Sequence, residues 1–122
     1  MTFQVDVWLR GSDSATTQAV EGIPHAASAW DDHDVELVLQ GMLRAMHRQK
    51  HPTGDPPPIA LRGLSWIVNP YEEGGVVIAI EITLGAAVAG PFDIEQAALE
   101  AMIARVLKRY ALSGAGPSST VH

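Results

Sequence analysis

Residues 59–84 read IALRGLSWIVNPYEEGGVVIAIEITL, two apolar runs with a polar turn between them, and this stretch decides the fold. In the second run, apolar side chains recur at every other position from Val76 to Leu84, which is the period of a β-strand. Residues 69–74 have turn composition, with Asn, Pro and Gly. We therefore predict strands at residues 59–68 and 75–84, joined as an antiparallel hairpin.

A further strand is predicted at residues 3–9, where apolar side chains such as Val5 and Val7 alternate with a second set that contains Trp8. Residues 11–30 show no sustained period, although residues 16–20 could form a short element. Residues 85–92 (GAAVAGPF) have small, uncharged side chains, and we place them in the link between the hairpin and the last helix.

Two helices are predicted from apolar residues at helical spacing. The first covers Asp31–Lys50, with Asp31 or Asp32 as its cap, and Gly41 in its middle indicates close packing at that point. The second is capped by Asp93 and runs to Tyr110. Its apolar positions are Leu99, Met102, Ile103, Val106 and Tyr110.

The element order predicts the α+β class: a small, mostly antiparallel sheet of about three to four strands, with both helices packed on one face. The order along the chain is strand, loop, helix, strand, strand, helix. Residues 1–112 form a single domain, and residues 113–122 (SGAGPSSTVH) form a flexible C-terminal tail.

A sheet covered on one face leaves its other face open to a partner. This open face and the small-residue segment after the hairpin are the expected interaction surface. The candidate interface residues are Trp8, Trp66, Val77, Ala86, Val88 and Phe92.

The charge balance excludes several classes of partner. Eight Lys and Arg stand against fourteen Asp and Glu, a net charge of −6, which argues against binding to nucleic acid or to an anionic membrane. Six of the basic residues fall in two clusters near the predicted helix C-termini, where they complement the helix dipole; a phosphate-binding patch is the alternative. These six are Arg44, Arg48, Lys50, Arg105, Lys108 and Arg109. No apolar stretch is long enough to span a bilayer, and no signal peptide is expected.

The chemistry-bearing residues favour a protein without cofactor, metal or catalytic site. No cysteine is present, which excludes thiol chemistry and disulfides. Asp31-Asp32-His33-Asp34 is the densest polar cluster; a metal or acid–base site is possible there, but helix capping explains it better. His47 and His51 have ligand spacing but lack a nearby third ligand. Phosphate-loop, dinucleotide and nucleophile-elbow motifs are all missing.

The strand FQVDVWLRG, a following helix and then the hairpin resemble the tail terminator and tail-completion (neck) proteins of long-tailed bacteriophages. The resemblance covers residues 3–84 and is carried by Val5, Val7, Trp8, Arg62, Trp66, Gly74 and Gly75. It implies a non-enzymatic structural protein that forms a homo-oligomeric ring, contacts other virion proteins, and is found in the virion and the host cytoplasm. The chain departs from the pattern in starting directly on a strand and in its helix after residue 93.

Two alternatives remain at this point. One is a small acidic protein-binding module, such as an immunity, anti-defence or adaptor protein, whose negative charge complements a basic partner. The other is an enzyme that uses the Asp31–Asp34 cluster together with His25 or His47.

Overall fold

Five antiparallel strands and two long helices make up the fold in the computed structural model, which describes residues 1–54 and 59–114. A 3₁₀ turn at Ala27–Ala29 precedes the first helix. In chain order the elements are β1 (Phe3–Leu9), β2 (Thr16–Val20), α1 (Asp32–Lys50), β3 (Ser65–Pro70), β4 (Val76–Ile82), β5 (Gly85–Phe92) and α2 (Gln96–Gly114). The strands form one sheet in the order β2-β1-β5-β4-β3, and every neighbouring pair is antiparallel.

The α+β class is confirmed, but the predicted strand number and order are not. The sheet has five strands rather than three to four, because residues 16–20 and residues 85–92 are both strands. The chain therefore runs strand, strand, helix, three strands, helix. The hairpin is present as β3 and β4, although β3 starts at Ser65, several residues later than predicted.

β5 lies at the centre of the sheet, between β1 and β4, although Ala and Gly have low strand propensity. Ala87 and Ala89 are buried on the face that α1 contacts. Small side chains there let the helix approach the sheet closely. Gly85, at φ +158°, cannot be replaced by a larger residue, since a Cβ on it would collide with the carbonyl oxygen of Trp8.

α1 begins at Asp32 with Asp31 as its cap, one of the two predicted alternatives. The Asp31 side chain accepts a hydrogen bond from the Asp34 N–H at 2.9 Å, and the Asp34 side chain accepts one from the Asp31 N–H at 3.0 Å. This capping box satisfies two donors at the helix start. Gly41 packs directly against Val20 of β2, so the close packing predicted at that position is confirmed.

α2 starts at Gln96, where Glu95 rather than Asp93 accepts the first helical hydrogen bond, from the Leu99 N–H. Asp93 lies in the turn after β5 and does not cap the helix. The Gln96 side chain instead donates to the Val68 carbonyl at 2.9 Å, which ties the start of α2 to β3. α2 extends through Gly114, two residues into the predicted tail, and residues 115–122 of that tail lie outside the described residues.

The core lies between the two helices and one face of the sheet. Every second residue of β1, β4 and β5 is buried there against the apolar stripes of α1 and α2. The largest fully buried side chains are Phe92, Leu39, Met42, Met46, Leu61, Ile78, Ile80, Leu99 and Ile103. Both helices therefore cover the same face, as predicted, and the opposite face is left without a covering element among the described residues.

Candidate functional site

The candidate site is the face of the sheet turned away from the helices, called here the open face. Strand register defines it, because directly paired residues share a face. One row crosses all five strands and a second crosses four of them. The first row is Thr17, Asp6, Val88, Ala79 and Ile67, and the second is Trp8, Ala86, Glu81 and Ser65.

One half of the open face, called here the apolar half, is mainly apolar and contains a shallow hollow, although Glu81 and Ser65 also line that hollow. Trp8 keeps 38% of its surface exposed and Ile67 keeps 52%, which is high for large apolar side chains. The hollow lies beside Ile67 and has a volume of about 430 Å³, and its lining includes the small side chains of Ala79 and Ala86. Trp8 and Ile67 lie in neighbouring rows and are three strand spacings apart across the sheet, roughly 14 Å in that direction. The hollow is wide enough to accept a side chain or a short element of another molecule.

The other half of the open face is polar. Asp6 of β1 accepts a hydrogen bond from the Thr17 hydroxyl of β2 at 2.6 Å. Gln4 and Ala19 are paired next to them on the same face. The side chains at this end therefore interact with each other and with solvent, and they form a polar border to the apolar half.

The structure places four of the six predicted interface residues on the open face and two elsewhere. Trp8, Val77, Ala86 and Val88 lie on it. Trp66 pairs with buried Ile80, and its half-buried side chain packs against the core on the helix-covered face.

Phe92 is 1% exposed, and its ring lies 5.3 Å from that of Phe3 and 4.8 Å from that of Trp30 between centroids. Phe92 is thus a core residue, and with Trp66 it is removed from the candidate interface. Sequence reasoning missed Ile67 and Ala79. The alternation of side chains along the hairpin could have identified them. Val68 is the buried residue of β3, so its neighbour Ile67 must face the opposite side of the sheet.

Three carboxylates of the acidic cluster at the start of α1, Asp31, Asp32 and Asp34, are engaged in hydrogen bonds within the protein. Asp34 is 1% exposed and accepts a hydrogen bond from His25 Nδ1 at 2.9 Å, in addition to the Asp31 N–H. Burial on its own would raise the pKa of Asp34, but these donors outweigh it and hold the pKa of that carboxyl below its ordinary value. The loop before α1 thus folds back and brings His25 to the cluster.

Asp32, a second member of the acidic cluster, also has a structural role, because it forms an ion pair with α2. Arg105 forms a bidentate ion pair with it, with Nε–Oδ2 at 2.9 Å and Nη2–Oδ1 at 2.8 Å. The hydrogen bonds from Arg105 lower the pKa of the Asp32 carboxyl. His33 is exposed on the helix surface. Across residues 1–54 and 59–114, no group of three or more His, Asp or Glu side chains could hold a metal ion.

His47 and His51 lie with their ring centroids 4.8 Å apart at the end of α1, so the predicted pair is close in space. Glu81 is exposed on the open face, where it pairs with Ala86.

Comparisons of the chain with protein-family models, with curated protein sequences and with solved structures found no match. Neither helix in the described ranges combines the length and the apolar character needed to cross a bilayer.

Proposed function

We propose that this chain is a non-enzymatic structural protein that assembles with copies of itself into a ring, as a tail terminator or neck component of a long-tailed phage. The observation that carries the proposal is the apolar half of the open face. Trp8 and Ile67 are exposed there, and the hollow beside Ile67 is lined by Ala79 and Ala86 together with Glu81 and Ser65. An uncovered apolar surface on a small chain is typical of an assembly interface.

The geometry of the open face suits contact with a large, flat partner rather than with a small molecule. The hollow is shallow, and its residues come from three adjacent strands, β3, β4 and β5. Small-molecule sites are usually concave and bury most of the ligand. A protein surface that covers Trp8, the hollow and Ile67 would bury both apolar side chains, would supply a polar partner for Glu81, and would leave the polar border in solvent, the usual anatomy of an interface.

A ring requires that each subunit use two different surfaces, so that one contact repeats around a closed axis. The open face would supply one of these surfaces. The resemblance of residues 3–84 to the tail terminator and neck proteins supplies the expectation of ring closure and of a place in the virion.

A second candidate function is the acidic protein-binding module, and the charge of the chain favours it. The net charge of −6 would speed association with a basic partner and would make that association sensitive to salt. Asp6 and Glu81 on the open face would then contact basic side chains of the partner. In this case the protein forms a complex of two different chains and does not form a ring.

The native mass of the purified protein separates these candidates. Size-exclusion chromatography with light scattering, over a wide concentration range, is expected to give a mass several times 13.0 kDa, and electron microscopy of that peak is expected to show closed rings. A monomer at every concentration would contradict the ring proposal and leave the acidic module as the better candidate.

A further inference from the structure

A groove separate from the apolar hollow runs along the edge of the sheet, between β2 with the residues that follow it and one side of α1. It has a volume of about 600 Å³. One wall is the chain from Gln18 to Ile23. The other wall is a stripe along α1, formed by Leu37, Gly41, Arg44 and Arg48. We call it the β2–α1 groove.

The strand that borders this groove has an unpaired edge in the described part of the chain. β2 pairs with β1 on one side and is the last strand of the sheet. In an antiparallel strand, alternate residues point their N–H and C=O groups away from the paired neighbour. These groups are a template for a further strand.

The β2–α1 groove is held in shape by contacts between its walls. Val20 packs against Gly41, where a Cβ would stand 2.6 Å from Val20 Cγ1. The Gln18 side chain donates to the Ala45 carbonyl at 2.9 Å and to the Gln49 side chain at 3.1 Å. A preformed groove lowers the ordering cost that an incoming segment has to overcome.

Two arginines outnumber Glu21, the one acidic residue on the lining, and give the groove a charge opposite to that of the whole chain. Arg44 and Arg48 are one helical turn apart, both exposed, and the Arg48 Nε donates to Gln18 Oε1 at 2.8 Å, which directs that side chain along β2. Within the described ranges neither arginine lies within 4.0 Å of a carboxylate. The net charge of the chain is −6, so this basic pair is a local exception.

We propose that the β2–α1 groove binds an extended, acidic segment of a partner protein, which adds a strand to the edge of β2. The backbone of the segment pairs with β2, its carboxylates form ion pairs with Arg44 and Arg48, and an apolar side chain packs on half-buried Leu37. This mode of recognition combines main-chain hydrogen bonds for affinity with side-chain pockets for selectivity. It goes beyond self-assembly and uses a different surface from the apolar half of the open face.

The test is a selection from a random peptide library displayed against the full chain. Enriched peptides are expected to contain acidic residues alternating with β-branched ones and to lack proline. The double variant Arg44→Glu/Arg48→Glu is expected to bind the enriched peptides at least about tenfold more weakly, because it reverses the charges that pair with them. The double variant Arg62→Glu/Lys108→Glu is the matched control, since both side chains are exposed outside this groove; it is expected to bind as the wild type does.

Strand pairing is tested with the best enriched peptide in two N-methylated forms. Methylation of one alternate set of amides is expected to abolish binding, and methylation of the other set is expected to leave it intact, because one edge of the peptide faces β2. Amide shifts in the NMR spectrum should concentrate at residues 16–23.

Four results would overturn the proposal: no enrichment, binding that the arginine reversal leaves unchanged, equal effects of the two methylated forms, or shifts centred on Trp8 and Ile67. A fall in native mass on the arginine reversal would also contradict it, because a second copy of the chain would then occupy the groove. The native mass of the wild type tests ring assembly separately.

Discussion

Gly41 of α1 lies directly against Val20 of β2, so that a Cβ at Gly41 would stand 2.6 Å from Val20 Cγ1. The helix crosses the edge strand at this point because the residue there has no side chain. β2 is five residues long, and Val20 is its one buried residue. The contact therefore holds both the edge of the sheet and the β2–α1 groove in place.

Gly41→Ala is expected to lower the free energy of unfolding by about 1 kcal/mol, although Ala is the better helix former. Overpacking against the stiff Val20 side chain costs about 1–3 kcal/mol, and the helical gain of about 1 kcal/mol offsets part of it. In a Val20→Ala background the same substitution is expected to be stabilising, because the colliding methyl groups are gone. Urea unfolding of the wild type, the two single variants and the double variant measures the effect of Gly41→Ala in each background. Stabilisation by Gly41→Ala in both backgrounds would show that the contact is not tight.

Phe92→Ala is expected to lower the free energy of unfolding by about 3–5 kcal/mol, because the ring fills the core between Phe3 and Trp30. Val77→Ala is the comparison on the open face, where the side chain is half-buried, and it is expected to cost less than about 1 kcal/mol. Chemical denaturation followed by tryptophan fluorescence gives both values. Equal costs would mean that Phe92 does not have the core position assigned to it.

Asp34→Asn is expected to destabilise the protein by about 1–3 kcal/mol at neutral pH, since a charged hydrogen-bond acceptor beside His25 is removed. The pKa of Asp34 is lowered in the folded protein, so the stability from its carboxylate is present above the ordinary carboxyl pKa of about 3.9 and is lost as the pH falls through the lower folded value. The difference between wild type and variant should therefore shrink below about pH 4.

Unfolding experiments between neutral pH and about pH 3 test this pH dependence. Asp32→Asn is the control, because Asp32 is a more exposed carboxylate in an ion pair with Arg105, and its loss is expected to cost less than about 1 kcal/mol. A penalty for Asp34→Asn that stays constant down to that pH would contradict the assigned role of the carboxylate.

The parts of the fold that could be predicted from sequence are those with a strong hydrophobic period. The β3–β4 hairpin, β1 and α1 all have one, and Asp31 was one of the two predicted caps of α1. β5 escaped prediction because its Ala and Gly residues have low strand propensity, and its place at the sheet centre is set by packing against α1. The cap of α2 was placed at the wrong residue: Asp93 lies in the turn after β5, and the helix starts at Gln96, whose side chain bonds to β3.

The candidate site was predicted in outline, since an open sheet face follows from two helices on one side. Its individual residues depend on register, which turn composition does not fix to a single residue. Trp66 and Ile67 are adjacent, and a shift of one position exchanges which of them faces the helices. Phe92 falls in the core, unlike Ala86 and Val88 at even spacing before it, because the register of β5 against β4 shifts between Ala89 and Phe92.

The measurement that tests the central claim most directly is the native mass of Trp8→Glu/Ile67→Glu beside that of the wild type, by size-exclusion chromatography with light scattering. Two further carboxylates, added to the Glu81 already in the apolar half of the open face, cannot be buried against another subunit without a large desolvation cost. The wild type is expected to have the mass of a ring and this variant the mass of a folded monomer. Ala101→Glu/Ala104→Glu adds the same charge at exposed positions of α2 and is expected to keep the ring. A wild-type monomer, or an undiminished mass in Trp8→Glu/Ile67→Glu, would contradict assembly through the open face.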